Sequence, residues 1–498
     1  MTAAPCGPHE TATDMDRLLA EIAEAPPGPA TGVYVDFDGT LIRGHSALAF
    51  CLNRIRHGEW PAEAWRALTS ASPARIAADL LRARSGMENQ AAARLGAAAA
   101  AHWHGRPTSE LLALSDRVFA EDIAPRIMRD MWHLVRAHQE RGHTVVMATA
   151  AATPQAEPAA RALGVRHLLC TPVRSAGGRV DARAPSPLCA GPAKLEAVRA
   201  HAAEHGTRLA DSFAYCDGYE DLPLLRSVGR PRVVNPRSAL AREAAERGWP
   251  VVRLAPRRAG AAEALFATGA AAGAAAAALA ASALVGTVTG DRRRATRTAL
   301  ALGSDLVLRA AGVRMTVAGA AHMWHRRPAV FVSNHSSPVD ALLLAHLLRT
   351  DWCALVKREL SDVVGIGHFL RFADCLFVDR DDPEQSAAAL ASALSRLRQG
   401  VSVLVEPEGT RARTPDPGPF RTGAFRLAVR AGVPVVPVVI RNATDVMARD
   451  GGLVRPGRVD VAVLPPVDTS GWREEDIRHH TDRVRDMFTA TLRHWPSG

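Results

Sequence analysis

The stretch ALFATGAAAGAAAAALAASALVGTV, from Ala264 to Val288, separates two halves of the chain that carry different motifs. It contains no charged residue, and thirteen of its twenty-five residues are alanine. As a helix it would be about 38 Å long, which exceeds the roughly 30 Å hydrocarbon core of a bilayer. The stretch therefore predicts a membrane-associated helix, with a buried alanine-rich hairpin in a soluble protein as the alternative.

Basic residues flank this stretch on both sides, and a second apolar segment follows it from Ala295 to Val313. The flanking arginines are Arg257, Arg258, Arg292, Arg293, Arg294 and Arg297. Because both flanks are basic, the positive-inside rule does not place them on opposite sides of a membrane. We expect a two-helix anchor over 257–313 that enters one leaflet and returns. Its arginines would contact anionic lipid headgroups on the cytoplasmic face of the cell membrane.

Length and composition narrow the class of protein. The 498 residues are enough for about three structural units. The net charge is +10, but only 5% of residues are aromatic and no basic stripe is interleaved with them, so nucleic acid is not an expected partner. The seven cysteines are scattered, which indicates reduced thiols. The polar residues 1–28 predict a flexible leader with a short helix near residues 14–23.

In the first half, polar residues follow a series of buried strands. GVYVDFDGTLI places Asp36 at the end of a strand, HTVVMAT ends at Thr149, and SFAYCD ends at Asp217. Lys194 opens a helix, and residues 43–142 between the first two strands are patterned as helices. Strands that alternate with helices predict a doubly wound, Rossmann-like α/β sheet whose active site lies at the carboxyl edge.

The residue types at that edge suit phosphoryl transfer. Asp36 can attack phosphorus, and Asp38 can protonate the leaving oxygen and then deprotonate water. These two carboxylates, with Asp217 and Asp221, are candidate ligands for Mg²⁺. Thr149 and Lys194 are candidates for holding the phosphoryl oxygens. Lys194 is one of only two lysines in a chain with 61 basic residues, and a compact point charge suits phosphate.

DFDGTL, Thr149, Lys194 and DGYEDLPLL resemble the four motifs of haloacid dehalogenase-like hydrolases. In particular, they resemble the phosphoserine-phosphatase-like branch, subfamily IB, with a helical cap after the first motif. The resemblance implies a magnesium-dependent phosphatase that forms an aspartyl-phosphate. Phosphoserine itself is a doubtful substrate, because IRGHSALAF after the first motif has no carboxylate to bind its ammonium group. Arg43 and His45 stand there instead, and they suit a small, anionic or hydroxylated phosphomonoester.

In the second half, the predicted strand PAVFVSN delivers the sequence NHSSPVD at its carboxyl end. Four residues separate His335 from Asp340, so a turn into the next helix can bring the carboxylate beneath the imidazole. That pairing would fix the tautomer and make His335 a base able to deprotonate an alcohol. Arg380 and Arg411 each follow a later strand and could clamp one phosphate with their fork geometry. Lys357, the other lysine, also lies in a motif.

NHSSPVD, FVDR, EPEGTR and VPVVPVVI resemble, in this order, the motifs of the glycerolipid acyltransferase family, which includes 1-acylglycerol-3-phosphate acyltransferase. The resemblance implies that His335 and Asp340 are the catalytic dyad. It also implies substrate binding by the arginine and EGTR motifs, which correspond here to Arg380, Glu408, Gly409, Thr410 and Arg411. Glu406 departs from the family, where an apolar or aromatic residue usually precedes PEGTR.

These motifs predict four segments: a flexible leader (1–28), a phosphatase (29–256, cap about 43–142), an anchor (257–313) and an α/β acyltransferase (314–498). The expected reaction transfers an acyl group from acyl-CoA or acyl carrier protein to lysophosphatidate, a membrane lysophospholipid, giving phosphatidate. Two alternatives stay open. The hydrolase half could be a non-catalytic regulatory module, or the acyl transfer could tailor a specialised small molecule.

Overall fold

The computed structural model describes residues 10–59, 103–181, 187–254, 260–290, 292–362, 370–371, 374–379 and 382–496. The chain forms two compact units, Met1–Pro256 (unit 1) and Arg257–Gly498 (unit 2). The six cysteines in the described ranges are all unpaired, as the scattered spacing predicts.

Unit 1 is built on a six-stranded parallel sheet. Its strands are β1 (Gly32–Val35), β2 (Thr144–Ala152), β3 (His167–Thr171), β6 (Phe213–Cys216), β7 (Arg230–Val234) and β8 (Val251–Val252), with a small hairpin of β4 (Ser175–Ala176) and β5 (Arg179–Val180). Its helices are α1 (Glu10–Glu24), α2 (Ser46–Arg56), α3 (Thr108–Val118), α4 (Arg129–Glu140), α5 (Thr153–Leu163), α6 (Gly191–His205), α7 (Leu222–Leu225) and α8 (Ser238–Arg247).

The strand order is β3-β2-β1-β6-β7-β8, so the direction of winding reverses between β1 and β6. In open α/β sheets, a crevice forms outside the carboxyl ends of the strands at such a reversal. This order confirms the doubly wound sheet that the alternating pattern predicts. It also places the residues after β1 and β6 side by side.

The N-terminal helix differs from the expected flexible leader. α1 covers the predicted short helix, but Leu18 and Ile22 are buried in the core of unit 1. Glu21 also pairs with the buried Arg232 of β7 at 2.6 Å. Because the apolar residues lie four apart, they form one stripe that packs on the domain. The polar composition of residues 1–28 hides this stripe.

The described part of the expected cap, 43–142, is mainly helical. α2 and α3 lie within it, whereas residues 60–102, including Trp60 and Trp65, lie outside the described residues. α4 packs against α1 and β2, and its Trp132 is buried in the core of the sheet domain. This last helix therefore belongs to the layer that covers the sheet.

Unit 2 is built on a seven-stranded mixed sheet of order β12-β11-β13-β10-β14-β15-β9. Its strands are β9 (Val313–Ala318), β10 (Val330–Ser333), β11 (Trp352–Lys357), β12 (Leu376–Val378), β13 (Ser402–Val405), β14 (Val435–Ile440) and β15 (Gly457–Val463). Its helices are α9 (Ala261–Thr289), α10 (Arg292–Ala310), α11 (His322–His325), α12 (Asp340–Leu348), α13 (Pro383–Arg398), α14 (Gly423–Ala431), α15 (Ala443–Val446) and α16 (Ile477–Arg493). The pair β14–β15 is antiparallel, and the other pairs are parallel.

The two helices that open unit 2, where the sequence predicts a two-helix membrane segment, differ in character. Of the helices in the described part of the chain, α9 is the one long and apolar enough to cross a membrane. In α10, Val307 and Leu308 are buried in the core of unit 2, and Asp305 pairs with Arg349 of the loop after α12 at 3.1 Å. The segment that follows α9 is thus an amphipathic helix of the folded domain.

Candidate active sites

The first candidate site lies at the reversal point of the unit 1 sheet. Asp36 directly follows β1 and Asp217 directly follows β6, its parallel neighbour. Gly39 makes their approach possible. It has a φ of +82°, and a Cβ at this position would lie 2.1 Å from an Asp217 carboxylate oxygen. Only glycine therefore allows the turn after β1 to pack against Asp217.

Lys194 occupies the centre of this site. The helix α6 carries it in its first turn, and its Nζ lies 3.0 Å from Asp36 Oδ1 and 2.7 Å from Asp221 Oδ1. All three side chains are almost completely buried. Burial alone would lower the pKa of Lys194, but Asp221 and Asp36 raise it well above its ordinary value. The lysine is thus a fixed positive charge beside the candidate nucleophile.

Asp38 lies in the same turn but has a different set of partners. Its carboxylate accepts hydrogen bonds from Ser46 N at 2.7 Å and from Ser46 Oγ at 3.0 Å, at the start of α2. Burial raises the pKa of Asp38, although His45 and Ser46 partly oppose this. A raised pKa suits a carboxyl group that must donate a proton. Ser46 is not among the predicted site residues, although its position at a helix start was a usable signal.

The four carboxylates predicted as metal ligands fall into separate roles. Ser46 holds Asp38, and Lys194 contacts both Asp221 and Asp36. Asp36 and Asp217, which follow neighbouring strands, are therefore the pair that we assign to a cation. Burial, followed by the charges of Asp221 and Glu220, raises the pKa of Asp217 to about 7. A divalent cation would relieve this excess of negative charge, and carboxylate oxygens are ligands that Mg²⁺ prefers. The donor set therefore fits Mg²⁺ through Asp36 and Asp217.

Thr149 lies within β2 and not at its end, because the strand continues to Ala152. Its side chain is buried, and its Oγ accepts a hydrogen bond from Ala151 N at 3.1 Å. Thr149 stands two residues beyond Met147, the residue paired with Val35 of β1. It therefore lies level with the turn that carries Asp36 and Asp38.

The second candidate site lies after β10 in unit 2. His335 Nδ1 lies 3.1 Å from Asp340 Oδ2, the pairing that the spacing predicts. The same oxygen accepts hydrogen bonds from the backbone N–H groups of Ser336 and Ser337 at 2.7 and 2.8 Å. Asp340 is fully buried at the first residue of α12. The turn thus fixes the carboxylate, and the carboxylate orients the imidazole so that Nε2 is left for a substrate.

A second carboxylate reaches the same imidazole nitrogen. Glu406 Oε1 lies 3.0 Å from His335 Nδ1, because Glu406 follows β13, the parallel neighbour of β10. Burial alone would lower the pKa of His335, but the hydrogen bonds to Asp340 and Glu406 raise it to about 10. The sequence marks Glu406 as unusual without indicating this contact. The adjacency of β13 and β10 was the missing information.

Glu408 faces the backbone of the same loop. Its Oε1 accepts a hydrogen bond from His335 N at 2.9 Å, and its Oε2 accepts one from Gly418 N at 2.7 Å. Burial raises the pKa of Glu408 to about 7. Because the main chain uses both oxygens, the structure places Glu408 as a support for the histidine loop. The role in substrate binding that the resemblance implies for Glu408 stays a prediction.

The structure describes four of the five remaining residues that the sequence predicts to bind substrate in unit 2. Gly409 and the exposed Thr410 continue the turn, and Arg411 donates a hydrogen bond to the carbonyl of Arg449. Lys357 ends β11, next to β13, and its exposed Nζ lies 2.5 Å from Glu359. Arg380 lies outside the described residues, so the expected phosphate clamp of Arg380 and Arg411 stays a prediction.

Comparison with protein families assigns both regions. Residues 33–226 match the family model of haloacid dehalogenase-like hydrolases, and residues 314–441 match the acyltransferase family model. Each of the two units is thus similar to one of these families. The first match contains Asp36, Asp38, Lys194 and Asp217, and the second contains the His335–Asp340 pair.

Individual relatives match parts of the chain. The 1-acyl-sn-glycerol-3-phosphate acyltransferase alpha of Ovis aries is 37% identical over 183 residues, or 36% of this chain and 64% of that protein. The chain thus spans less than two thirds of that relative's length. The 1-acyl-sn-glycerophosphate acyltransferase structure from Thermotoga maritima is 24% identical, with a TM-score of 0.41, over 47% of this chain and 98% of that one. A probable phosphoserine phosphatase from Vibrio cholerae is 14% identical, with a TM-score of 0.33, over 47% of this chain and 64% of that one.

Proposed function

We propose that unit 2 transfers an acyl group from acyl-CoA or acyl carrier protein to the free hydroxyl of 1-acylglycerol 3-phosphate. The observation that carries this proposal is the His335–Asp340 pair at the carboxyl end of β10. It lies in the segment that matches the acyltransferase family and its phosphatidate-forming relatives. The product would be phosphatidate, so the protein would act in phospholipid synthesis.

The proposed step is a proton transfer coupled to acyl transfer. His335 Nε2 takes the proton of the acceptor hydroxyl, and the oxygen attacks the carbonyl carbon of the thioester. The C–S bond then breaks, and the thiolate leaves with the proton from His335. The buried carboxylate of Asp340 stabilises the imidazolium between these two events. Arg411 and Lys357, together with Arg380 of the FVDR motif, would bind the acceptor phosphate.

A donor and acceptor screen on the full-length protein tests this function. The protein would be incubated with labelled acyl-CoA or acyl carrier protein and with 1-acylglycerol 3-phosphate. We expect labelled phosphatidate with at least one donor. A control acceptor, glycerol 3-phosphate, would separate the lysophospholipid acceptor from its water-soluble headgroup. If neither donor yields phosphatidate, the proposed activity is wrong.

We propose that unit 1 hydrolyses a phosphomonoester through an aspartyl-phosphate on Asp36. The carboxylate attacks phosphorus, the ester oxygen leaves with a proton from Asp38, and Asp38 then deprotonates the water that releases phosphate. Lys194 and Thr149 would hold the phosphoryl oxygens. Bound through Asp36 and Asp217, Mg²⁺ would neutralise charge on the phosphoryl group.

The burial of this site favours a small substrate. Asp36 is only 7% exposed, and Lys194 and Asp221 are 2% exposed each. A two-chain lipid would have to leave its bilayer to bring its phosphate into contact with Asp36. Arg126 lies close enough to Asp38 for their charges to interact. With Arg43 and His45 in the same region, it would favour an anionic or hydroxylated body.

Hydrolysis of three phosphate esters by the full-length protein tests this preference. We expect glycerol 3-phosphate to be hydrolysed faster than phosphoserine and phosphatidate, and chelation of Mg²⁺ to stop the reaction. If phosphatidate is the best substrate, the size argument fails and the two units act in succession on one lipid. If none of the three esters is hydrolysed, a generic aryl phosphate distinguishes an inactive module from an untested substrate.

We further propose that α9 attaches the protein to the cytoplasmic face of the cell membrane. The helix buries Ala264, Ala267 and Ala271 but exposes large apolar side chains. These are Leu265, Phe266, Leu279, Leu284 and Val288. Such a face favours partial insertion at the membrane surface. We expect the protein to sediment with vesicles and salt alone to release it only in part, with both termini open to protease from the cytoplasmic side.

A further inference from the structure

Three histidines of unit 1 meet at a distance from its catalytic carboxylates. His201 and His205 lie one turn apart on α6, and His167 is the first residue of the edge strand β3. One ring nitrogen from each of the three lies within 4.8 Å of the other two. Lys194 precedes His201 by seven residues, or about 10 Å along the helix axis. The cluster therefore lies at the opposite end of α6 from the phosphatase site.

His201 is the least satisfied member of the cluster. It is only 6% exposed, yet neither of its ring nitrogens has a hydrogen-bond partner among the described residues. Buried polar groups that lack a partner are costly and need an explanation. Burial, together with the neighbouring His205 and His167, lowers the pKa of His201 to about 4. The imidazole is therefore neutral at physiological pH and has a free lone pair.

His205 stacks on His201, with ring centroids 4.1 Å apart and ring planes 10° from parallel. Its Nδ1 lies 3.1 Å from the backbone carbonyl of His201, which can only accept, so Nδ1 carries the hydrogen and Nε2 the lone pair. A backbone partner on the second nitrogen is the usual way to orient a metal-binding histidine. The ring of His167 stands nearly perpendicular to the other two, at centroid distances of 4.7 Å from His201 and 4.5 Å from His205.

We propose that His167, His201 and His205 bind one Zn²⁺ ion that joins α6 to the edge strand β3. Three imidazole nitrogens with an open fourth position, filled by water, form a common zinc ligand set. Tetrahedral bonds to zinc would bring the nitrogens to about 3.3 Å from one another. Rotation of His167 and His205, which are less buried than His201, would supply this approach and would turn the His205 ring out of its stack on His201. Because α6 carries Lys194 in its first turn, the ion would also stabilise the helix that positions the lysine.

Zinc binding to the full-length protein tests the proposal. Metal-free protein would be dialysed against buffered Zn²⁺ in excess Mg²⁺, which fills the carboxylate site, and bound zinc would be measured by elemental analysis. His167→Gln and His205→Gln each remove one ligand from a partly or fully exposed position. His325→Gln is the matched control, because His325 is exposed and lies outside the cluster. His335→Ala reports any zinc held by His335, Asp340 and Glu406, the other three-residue group in the described ranges that could bind metal.

We expect the wild type and His325→Gln each to bind one zinc ion. The two cluster variants, His167→Gln and His205→Gln, should bind it at least about tenfold more weakly. Zinc should also raise the thermal unfolding temperature of the wild type more than that of the cluster variants. Circular dichroism at 25 °C would verify that each variant is folded. Equal zinc affinity in the wild type and both cluster variants would overturn the proposal. A loss confined to His335→Ala would assign the ion to unit 2 instead.

Discussion

Both candidate sites lie where neighbouring parallel strands end, but the cation at the centre differs. In unit 1, Lys194 contacts the carboxylates of Asp36 and Asp221. In unit 2, His335 contacts those of Asp340 and Glu406. Each cation has two carboxylate partners, so the number of charges alone does not distinguish the two sites. The chemistry of the cation does, because a lysine so paired keeps its proton whereas an imidazole can release one.

This difference indicates which group reacts at each site. Burial raises the pKa of Asp36 well above its ordinary value, and the charge of Lys194 opposes this rise only in part. Lys194, together with a bound divalent cation, would favour the ionised carboxylate that attacks phosphorus. In unit 2 the carboxylates surround the group that must gain and lose a proton, so they adjust its basicity. The same edge of two α/β sheets thus supports nucleophilic and general-base chemistry.

The largest expected effect separates the two sites completely. Asp36→Asn removes the nucleophile of unit 1, so phosphate release should fall by a factor on the order of 10⁴ or more. Acyl transfer by the same preparation should stay within about twofold of the wild type. Phosphate release and labelled phosphatidate would be measured in parallel. Retained hydrolysis in Asp36→Asn would show that Asp36 is not the nucleophile.

His335→Ala gives the reciprocal result. Loss of the general base should slow acyl transfer by about 10²- to 10⁴-fold, with phosphate release unchanged. His480→Ala is a suitable control, because this histidine lies on α16 and stacks on Trp472. Near-normal acyl transfer in His335→Ala would rule out the proposed mechanism.

Much of this comparison could be predicted from the sequence. Short apolar runs such as GVYV and VFVS are buried strands, and the polar residues after them mark the carboxyl edge of each sheet. The His335–Asp340 pairing followed from a short turn between a strand and a helix. Local spacing was sufficient for this contact because its two partners are only five positions apart in the chain.

The contacts that depend on strand order could not be predicted in this way. Glu406 and His335 are seventy-one residues apart, and only the pairing of β13 with β10 brings them together. The separate roles of Asp38 and Asp221 depend on which partner each carboxylate reaches, which spacing does not specify. The burial of α1 was missed because two apolar residues per face are a weak signal in a polar segment.

Glu406→Gln tests whether the second carboxylate sets the basicity of His335. Acyl transfer requires the neutral imidazole, so the wild-type rate should rise with pH up to the raised pKa of His335. Removing one negative charge should lower that pKa and move the acid limb of kcat/KM toward lower pH. On that limb, lowering the pKa by one increases the neutral fraction of the imidazole about tenfold. Glu474→Gln serves as a control in the same unit, because Glu474 is exposed and pairs with Arg430 on α14. An unchanged pH profile in Glu406→Gln would show that Asp340 alone governs the histidine.

The smallest expected effect concerns where each unit finds its substrate. If unit 2 acts on a membrane lipid and unit 1 on a soluble ester, weaker membrane binding should affect only acyl transfer. Leu265 on α9 is 60% exposed, and burial of a leucine side chain contributes up to about 1.5–3 kcal/mol. Because the side chain is already partly covered, Leu265→Ser should lower acyl transfer to a vesicle-embedded acceptor about three- to tenfold.

Leu112→Ser is the matched control, since Leu112 is 49% exposed on α3 of unit 1. The loss should disappear with a detergent-dispersed acceptor, and phosphate release should stay constant throughout. An equal loss with both acceptors would mean that Leu265 supports the fold of unit 2, and that membrane contact does not distinguish the two activities.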